Sequence, residues 1–422
     1  MPTPHRRLSA ADVETFVRER CFAPAQDGQV GIELERHLVP SAGSVPGIDH
    51  DALRRALDDL DPLPGRSRIT FEPGGQLEVS SPPRPGPSAA CGVVTADLAV
   101  VDPVVESFGI DLAAVGLHPD GNEKLVVGGP RYAAMATYFD HGGPCGRTMM
   151  CSTAALQVNL DIGDEATQSF RWRLAHQLGP VLLASFANSP MFEGAHRGWR
   201  SGRAAAWAGI DPTRTLPAAD GASDPATAWV RYALGARVML IRGSDVRYEP
   251  ILTPLTFAGW LEAGHELGFP TLEDLEYHLG TLFPPVRARG WLELRMVDSL
   301  PHPWWTVAAA VCAALFDDPE AADEAVRATR PTEGLWRDAA RHGLAHPELA
   351  RAARSCFAAA LEALPRLAAD TATVDAVADF CERFVERRRC PADEVLGRGQ
   401  VPRHPAEDPT QNPDRPLEAS WC

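Results

Sequence analysis

Lysine is almost missing from this 422-residue chain: Lys124 is the only one, so arginine supplies nearly all of the 40 basic residues. A Walker-type phosphate loop needs a glycine-rich run ending in Lys and Ser or Thr, and Lys124 instead closes the turn-like stretch His-Pro-Asp-Gly-Asn-Glu-Lys. No Gly-x-Gly-x-x-Gly fingerprint follows a strand pattern either, so any nucleotide is received without those two loops. Positive charge is scarce overall. A formal charge of -16 and a pI near 5.3 leave no broad basic field for nucleic acid or an anionic membrane. An anionic substrate must therefore be met locally, by single arginines and metal ions.

Paired cysteines are absent as well. The nine cysteines, at 21, 91, 145, 151, 312, 356, 381, 390 and 422, contain no Cys-x-x-Cys, and an odd, unframed set reads as reduced thiols in a cytoplasm. The longest apolar runs, around Val307 to Phe316 and Pro180 to Ala187, are too short for a bilayer, and the opening MPTPHRRLSA lacks the apolar core of a signal peptide. The expectation is a soluble, cytoplasmic protein with neither a nucleic-acid nor a membrane partner. Its 45% hydrophobic content suffices for one large core or two smaller ones.

What the chain does have is four stretches that alternate apolar and polar residues. In Val30 to Leu38, Val30, Ile32 and Leu34 take one side of a strand and Gly31, Glu33, Glu35 and His37 the other. Gln76 and Glu78 alternate with Leu77 and Val79. Gln157, Asn159 and Asp161 alternate with Leu156, Val158 and Leu160; Glu293 and Arg295 alternate with Leu292, Leu294 and Met296. One such strand is ordinarily a half-solvated member of an antiparallel sheet. Solvated faces mix Lys, Thr and Ser with acids, whereas these are dominated by Glu, Gln and Asn. Carboxylates at strand spacing repel one another unless cations sit among them, so the pattern suggests a divalent-metal site that could serve a nucleotide.

Helical periodicity fills most of the rest. Helices are expected at Ser9 to Arg20, Asp49 to Leu60, Ala89 to Ser107, Arg131 to Tyr138, Ser169 to Asn188, Asp224 to Leu234, Thr256 to Glu266 and Leu272 to Leu282. Leu112 to Leu117 and Arg237 to Ile241 read as further strands, and His141 to Arg147 as a glycine-rich loop. From Trp304 to Glu386 helix follows helix, and residues 396–422 read as a disordered tail. With no clean linker between the polar strands, one α+β domain over residues 1–395 with a helical C-terminal layer is the expected architecture.

Several segments, in order, resemble the plant and proteobacterial type of glutamate-cysteine ligase, most closely its actinobacterial branch linked to ergothioneine biosynthesis. They are GIELERHL at Gly31, FEPGGQLEVSS at Phe71, PRYAAMATYF at Pro130, CGRTMMCSTAALQVNLD at Cys145, NSPMFEGAHRGWRSGRAAAW at Asn188 and TLFPPVRARGWLELRMVDSLP at Thr281. The resemblance covers roughly residues 28 to 305, with weaker helical similarity to about Val395.

It implies a glutamine-synthetase-like fold, a curled, mainly antiparallel sheet forming a funnel-shaped active site with helices on its outer face. It also implies ATP as co-substrate, magnesium or manganese, L-glutamate and L-cysteine, with a monomer or small homo-oligomer expected. By position, Glu33, Glu35, Glu78, Gln157 and Glu293 match the family's metal positions, with Glu72 and Asn159 on the nucleotide side. Arg295 is the candidate for stabilising the transferred phosphoryl group. Arg203, with Trp207 beside it, is matched to the glutamate α-carboxylate; Arg214 is a second anion-binding candidate, and Arg147 a residue that could approach the substrates. A related carboxylate-amine ligase with another amine acceptor, and a non-catalytic binding protein on the same sheet, are the alternatives.

Overall fold

The computed structural model describes residues 7–25, 28–43, 47–218, 224–243 and 247–398. In chain order the strands are β1 (Gln29–Pro40), β2 (Arg68–Phe71), β3 (Leu77–Ser80), β4 (Arg84–Pro85), β5 (Ile110–Ala113), β6 (Ala155–Asp161), β7 (Met191–Phe192), β8 (Ala195–His196), β9 (Leu240–Arg242), β10 (Tyr248–Pro250), β11 (Val286–Ala288) and β12 (Trp291–Asp298). Eight of them form one sheet in the order β11-β12-β6-β1-β3-β2, with β4 and β5 also pairing on β1. Its ladders are antiparallel. The α+β class expected from the alternating segments is the one observed, and all four segments meet in this single sheet.

Period-two alternation decides what each face does. Ile32, Leu34, Leu156, Val158, Leu160, Leu292 and Leu294 are each no more than 1% exposed and share one hydrophobic core. Burying each such side chain contributes roughly 1.5–3 kcal/mol. The helix Gln168–Ser185 packs against β12 and the helix Trp304–Asp317 against β6, covering this face. Every residue from Trp305 to Phe316 is buried, as expected of a helix that is apolar all round. The helices Pro319–Thr329, Pro347–Ala363 and Thr371–Phe380 add the C-terminal layer.

Helix starts follow local chemistry. Ser9 forms a capping box with Asp12, Thr271 does so with Asp274, and Asp49 caps His50–Asp58. The helix begun at Ala10 widens into a π-helical turn over Val17–Cys21.

Several expectations require correction. The strand placed at Leu112 to Leu117 is β5, Ile110–Ala113, and the one at Arg237 to Ile241 is β9, Leu240–Arg242. The expected loop at His141 to Arg147 is largely helical: Pro130–Gly142 ends at Gly143, φ 121°, and Pro144 starts Cys145–Ser152. Proline needs no amide donor at a helix start, so the Gly-Pro pair divides two helices and leaves little loop. In β12 a bulge between Leu294 and Val297 breaks the simple alternation, so Val297 pairs with Leu156 in the core and Met296 lines a second, smaller cavity. The start of the tail expected at residue 396 is helical, since a helix spans Pro391–Arg398; the rest of that expected tail, residues 399–422, lies outside the described residues.

The helix Pro87–Ser107 was not among the apolar runs singled out in the sequence, yet its length and hydropathy suit a membrane crossing. In the fold, Ala90 and Val94 join the main core, Val101 and Val105 pack with Leu38 and Leu77, and its fully buried Asp97 accepts N–H bonds from Gly65 and Ser67. Seven cysteines, Cys21, Cys91, Cys151, Cys312, Cys356, Cys381 and Cys390, are free thiols as expected, whereas Cys145 is disulfide-bonded.

Candidate active site

On its polar face the sheet sets the predicted side chains in cross-strand rows. Glu33 lies opposite Gln157, Glu35 opposite Glu78, and Asn159 between Gly31 and Glu293. Side chains so paired are neighbours, because opposite Cβ atoms stand about 5 Å apart. Glu33, Glu35, Glu78, Gln157, Asn159 and Arg295 line a cavity of about 1230 Å³. Glu72 joins them from the turn after β2.

That turn is built by glycine. Glu72 and Gly75 close it through their own backbone bonds, and Gly74 lies so near the Cys151 backbone that a Cβ would collide with it. Gln76, at its end, is fixed by its Nε2 donating to the Thr153 carbonyl at 2.8 Å.

Amides and hydroxyls orient the acids. Asn159 Nδ2 donates to Glu33 at 2.9 Å; Gln157 Nε2 and the Ala155 N–H donate to Glu35 at 3.0 and 2.7 Å. Ser80 and Thr70 hydroxyls donate to Glu78 at 2.6 and 2.9 Å. These contacts do not neutralise the cluster. Burial, with Glu293 and Glu78 nearby, pushes Glu33 up to about 6, and burial with Glu78 pushes Glu35 up to about 7. Glu72 is held well above the ordinary carboxylate range by burial, Glu35 and Glu78.

Glu293 has a different environment. It is fully buried and does not line the cavity; Arg287 Nε and Nη2 donate to its two oxygens at 2.5 and 2.9 Å, and Arg295 Nη1 adds a third bond at 3.0 Å. Burial alone would raise its proton affinity, but Arg287, Arg295 and Arg289 outweigh it and hold the carboxyl far below the usual range. Arg295 also donates to Gln157 Oε1 at 2.5 Å, and Glu293, Glu35 and Glu33 keep its guanidinium charged despite burial.

Whether this donor set suits a divalent cation can be tested on its chemistry. Glu33, Glu35 and Glu72 are pushed up by burial and by neighbouring carboxylates, which Arg295 offsets only in part, and carboxylate oxygens are the donors that hard cations prefer. Among the described residues, however, no group of three His, Cys, Asp or Glu side chains is arranged to hold a metal ion. The donors fit a cation that brings further ligands of its own, such as phosphate oxygens and water, and do not fit an all-protein cage.

The expected arginines separate in space. Arg203 lines the smaller cavity, of about 220 Å³, behind Trp207, which with Arg295 borders both cavities. Its Nη2 donates to the Arg295 carbonyl at 2.8 Å, and its guanidinium lies 5.7 Å from the Trp207 ring. Arg214 is not brought to either cavity. It is fully buried and donates to Asp211, Tyr138 and the Thr281 and Arg237 carbonyls, so Nε, Nη1 and Nη2 are all engaged within the fold. Arg147 is held by Asp140 through two bonds of 2.7 and 2.8 Å and lines neither cavity.

Sequence reasoning missed Arg287, Arg289 and Trp291 on the large cavity. The alternation Arg287, Arg289 just before the Gly290 turn was the available signal. Burial pushes the Cys151 thiol up to about 11.

The cavity thus gathers Glu33, Glu35, Glu72 and Glu78 with the largely buried Arg295. The chain belongs to glutamate-cysteine ligase family 2, whose sequence profile matches residues 29–411. It is 41% identical over 377 residues to the glutamate-cysteine ligase EgtA of Mycolicibacterium smegmatis, covering 88% of this chain and 87% of that one. Against EgtA of Mycobacterium tuberculosis the identity is 39% over 389 residues, 91% of this chain and 89% of the relative. The chloroplastic glutamate-cysteine ligase of Medicago truncatula is 35% identical over 247 residues, 56% of this chain and 48% of that one. Among solved structures, a bifunctional glutathione synthetase from Pasteurella multocida is similar at a TM-score of 0.45 and 14% identity, over 94% of this chain and 52% of that one. The family resemblance carried by the sequence motifs is thereby borne out, and the chain is a ligase of this family.

Proposed function

We propose that this enzyme joins the γ-carboxylate of L-glutamate to the amine of L-cysteine at the expense of ATP, as a cytoplasmic step feeding ergothioneine biosynthesis. The observation that carries the reading is the convergence of Glu33, Glu35, Glu72 and Glu78 on one cavity with Arg295.

In the first half-reaction a γ-carboxylate oxygen of glutamate attacks the terminal phosphorus of ATP, the bond to the bridging oxygen breaks, and ADP leaves. Arg295, kept charged and fixed by Glu293 and Gln157, is placed to offset the charge that spreads over the transferring phosphoryl oxygens. In the second half-reaction the cysteine amine attacks the acyl phosphate, phosphate departs with the bonding pair, and the amine loses a proton. The nucleophile is a substrate amine, so the protein supplies no Ser or Cys for it.

Glu33, Glu35, Glu72, Glu78 and Gln157 would hold magnesium or manganese, which when bound supplies positive charge to the nucleotide phosphates and the glutamate carboxylate. Asn159 keeps Glu33 aimed at the cavity. Both Glu293 oxygens are engaged by arginine, so its geometry favours holding Arg295 over direct metal ligation. Arg203 receives the α-carboxylate of glutamate, with Trp207 forming the wall between the two cavities.

Following ADP release with glutamate and each of a panel of amines tests the assignment. Cysteine should be preferred and the product should have the mass of γ-glutamylcysteine; preference for another amine would make this a related carboxylate-amine ligase, and no magnesium-dependent ADP release with any amine would favour a binding protein.

A further inference from the structure

We infer that Asp298 is a positioning residue for Arg203, tying the glutamate seat to the strand that carries Arg295. The inference rests on the reading that Arg203 receives glutamate. Asp298 is the last residue of β12, three positions beyond Arg295, and is fully buried.

Its two oxygens have divided tasks. Oδ2 accepts from the Asn188 N–H at 2.8 Å and the Ser189 hydroxyl at 2.6 Å. Oδ1 accepts from the Ser201 hydroxyl at 2.9 Å and lies 3.8 Å from Arg203 Nη1. The same two serines grip the helix Gly202–Ala208 that carries Arg203 and Trp207. Ser189 Oγ accepts the Arg203 N–H at 3.1 Å, and Ser201 Oγ caps the helix by accepting the Ala204 N–H at 3.1 Å.

Arg203 is thus held from β12 at both ends: its backbone through Ser189 and Asp298, its guanidinium through the Arg295 carbonyl and the Asp298 charge. The carboxylate cannot swing away, because Gly116 packs so closely that a Cβ there would stand 2.6 Å from its Cγ. A guanidinium held at Nη2 by the Arg295 carbonyl and drawn at Nη1 toward Asp298 loses less freedom when it engages a substrate carboxylate, which is the value of an orienting partner.

Asp298→Asn keeps the shape and removes the charge and two acceptor lone pairs. In folded protein, the glutamate KM should rise about ten-fold or more, the scale on which an orienting partner acts, while kcat and the KM for ATP move far less. Glutamate should also stabilise the variant less than the parent in thermal melts without nucleotide. A structural role alone would lower the melting temperature and the active fraction but leave the glutamate KM in place, and that result would overturn the inference.

Should Asp298→Asn fail to fold, Ser189→Ala cuts the hydroxyl link between Asp298 and the Arg203 backbone. A selective rise in glutamate KM supports the inference there too, and an unchanged value sinks it. Arg203→Ala separates the two levels: if it raises the glutamate KM while the Asp298 and Ser189 variants do not, only the positioning role fails. If Arg203→Ala leaves glutamate saturation unaltered, the glutamate-seat reading falls and takes the inference with it.

Discussion

Arg287 sits directly across the β11-β12 ladder from Glu293 and donates to both of its oxygens, so the most buried acid of the site is already neutralised by its cross-strand neighbour. Glu33, one strand past β6, has an amide donor and repelling acids around it. These two carboxylates should therefore respond oppositely to removal of their charge.

Glu33→Gln is expected to lower kcat/KM at least about 100-fold, the scale of a lost contact to reacting charge, with unfolding in urea unchanged or slightly later at pH 8. Glu293→Gln should also abolish turnover, but it strands Arg287 and Arg295 in a buried setting and should cost about 3 kcal/mol of stability. Equal urea midpoints for the two variants would show that the arginine cage around Glu293 is misread.

The share of the metal-free protein's stability that comes from Glu33 and Glu35 should fall as pH rises, against the opposite slope of the buried neutral histidines His37, His176 and His278. Glu33 and Glu35 bind protons more tightly when folded, at about 6 and about 7, than at the ordinary value of 4.5. Their contribution is complete below about 4.5 and disappears as pH climbs through 6 to 7. Magnesium competes with those protons, so its stabilisation should be larger at pH 8 than at pH 5.5. The difference in melting temperature between Glu33→Gln and the parent across this range checks the first sign, and the difference with and without magnesium checks the second; a magnesium effect independent of pH would place the ion elsewhere.

Arg147→Ala should leave steady-state kinetics intact and stability within about 1 kcal/mol, since its pair with Asp140 is partly exposed. Arg214→Ala should cost about 3 kcal/mol or more, because it leaves half-buried Asp211 without its cation and two carbonyls without donors. Substrate-specific KM changes from either variant in chemical unfolding-controlled assays would restore them as binding residues.

Gly74→Ala should displace the turn that presents Glu72, since the new Cβ meets the Cys151 backbone and neither chain can yield without moving the other. Activity should drop well before the fold is lost; a fully active variant would remove Glu72 from the working site.

The acidic faces were legible because side-chain direction along a strand is local: residues two apart share a side whatever they pair with. Glu33 with Glu35, Gln157 with Asn159 and Glu293 with Arg295 needed only their own neighbours to be read. Helix starts were equally legible at Ser9 and Asp49, where one capping side chain satisfies the free N–H groups of the next turn. The loop expected at His141 to Arg147 failed because glycine and proline were read as a stretch of coil when they serve as a single break between helices.

By itself, then, the sequence determined the helix-strand pattern, the bed of oxygen donors and, through motifs kept in order, the family. Tertiary structure alone decided that Glu293 lies among arginines, that Arg203 stands behind Trp207 with Asp298, and that Arg214 and Arg147 are engaged by Thr281 and Asp140 away from both cavities. Partnership of that kind is set by residues far apart in the chain, such as Arg203 with Asp298 and Arg214 with Thr281, and by a bulge that changes register after Leu294. A charge's task depends on which opposite charge the packed chain brings within reach, and no local pattern encodes that distance.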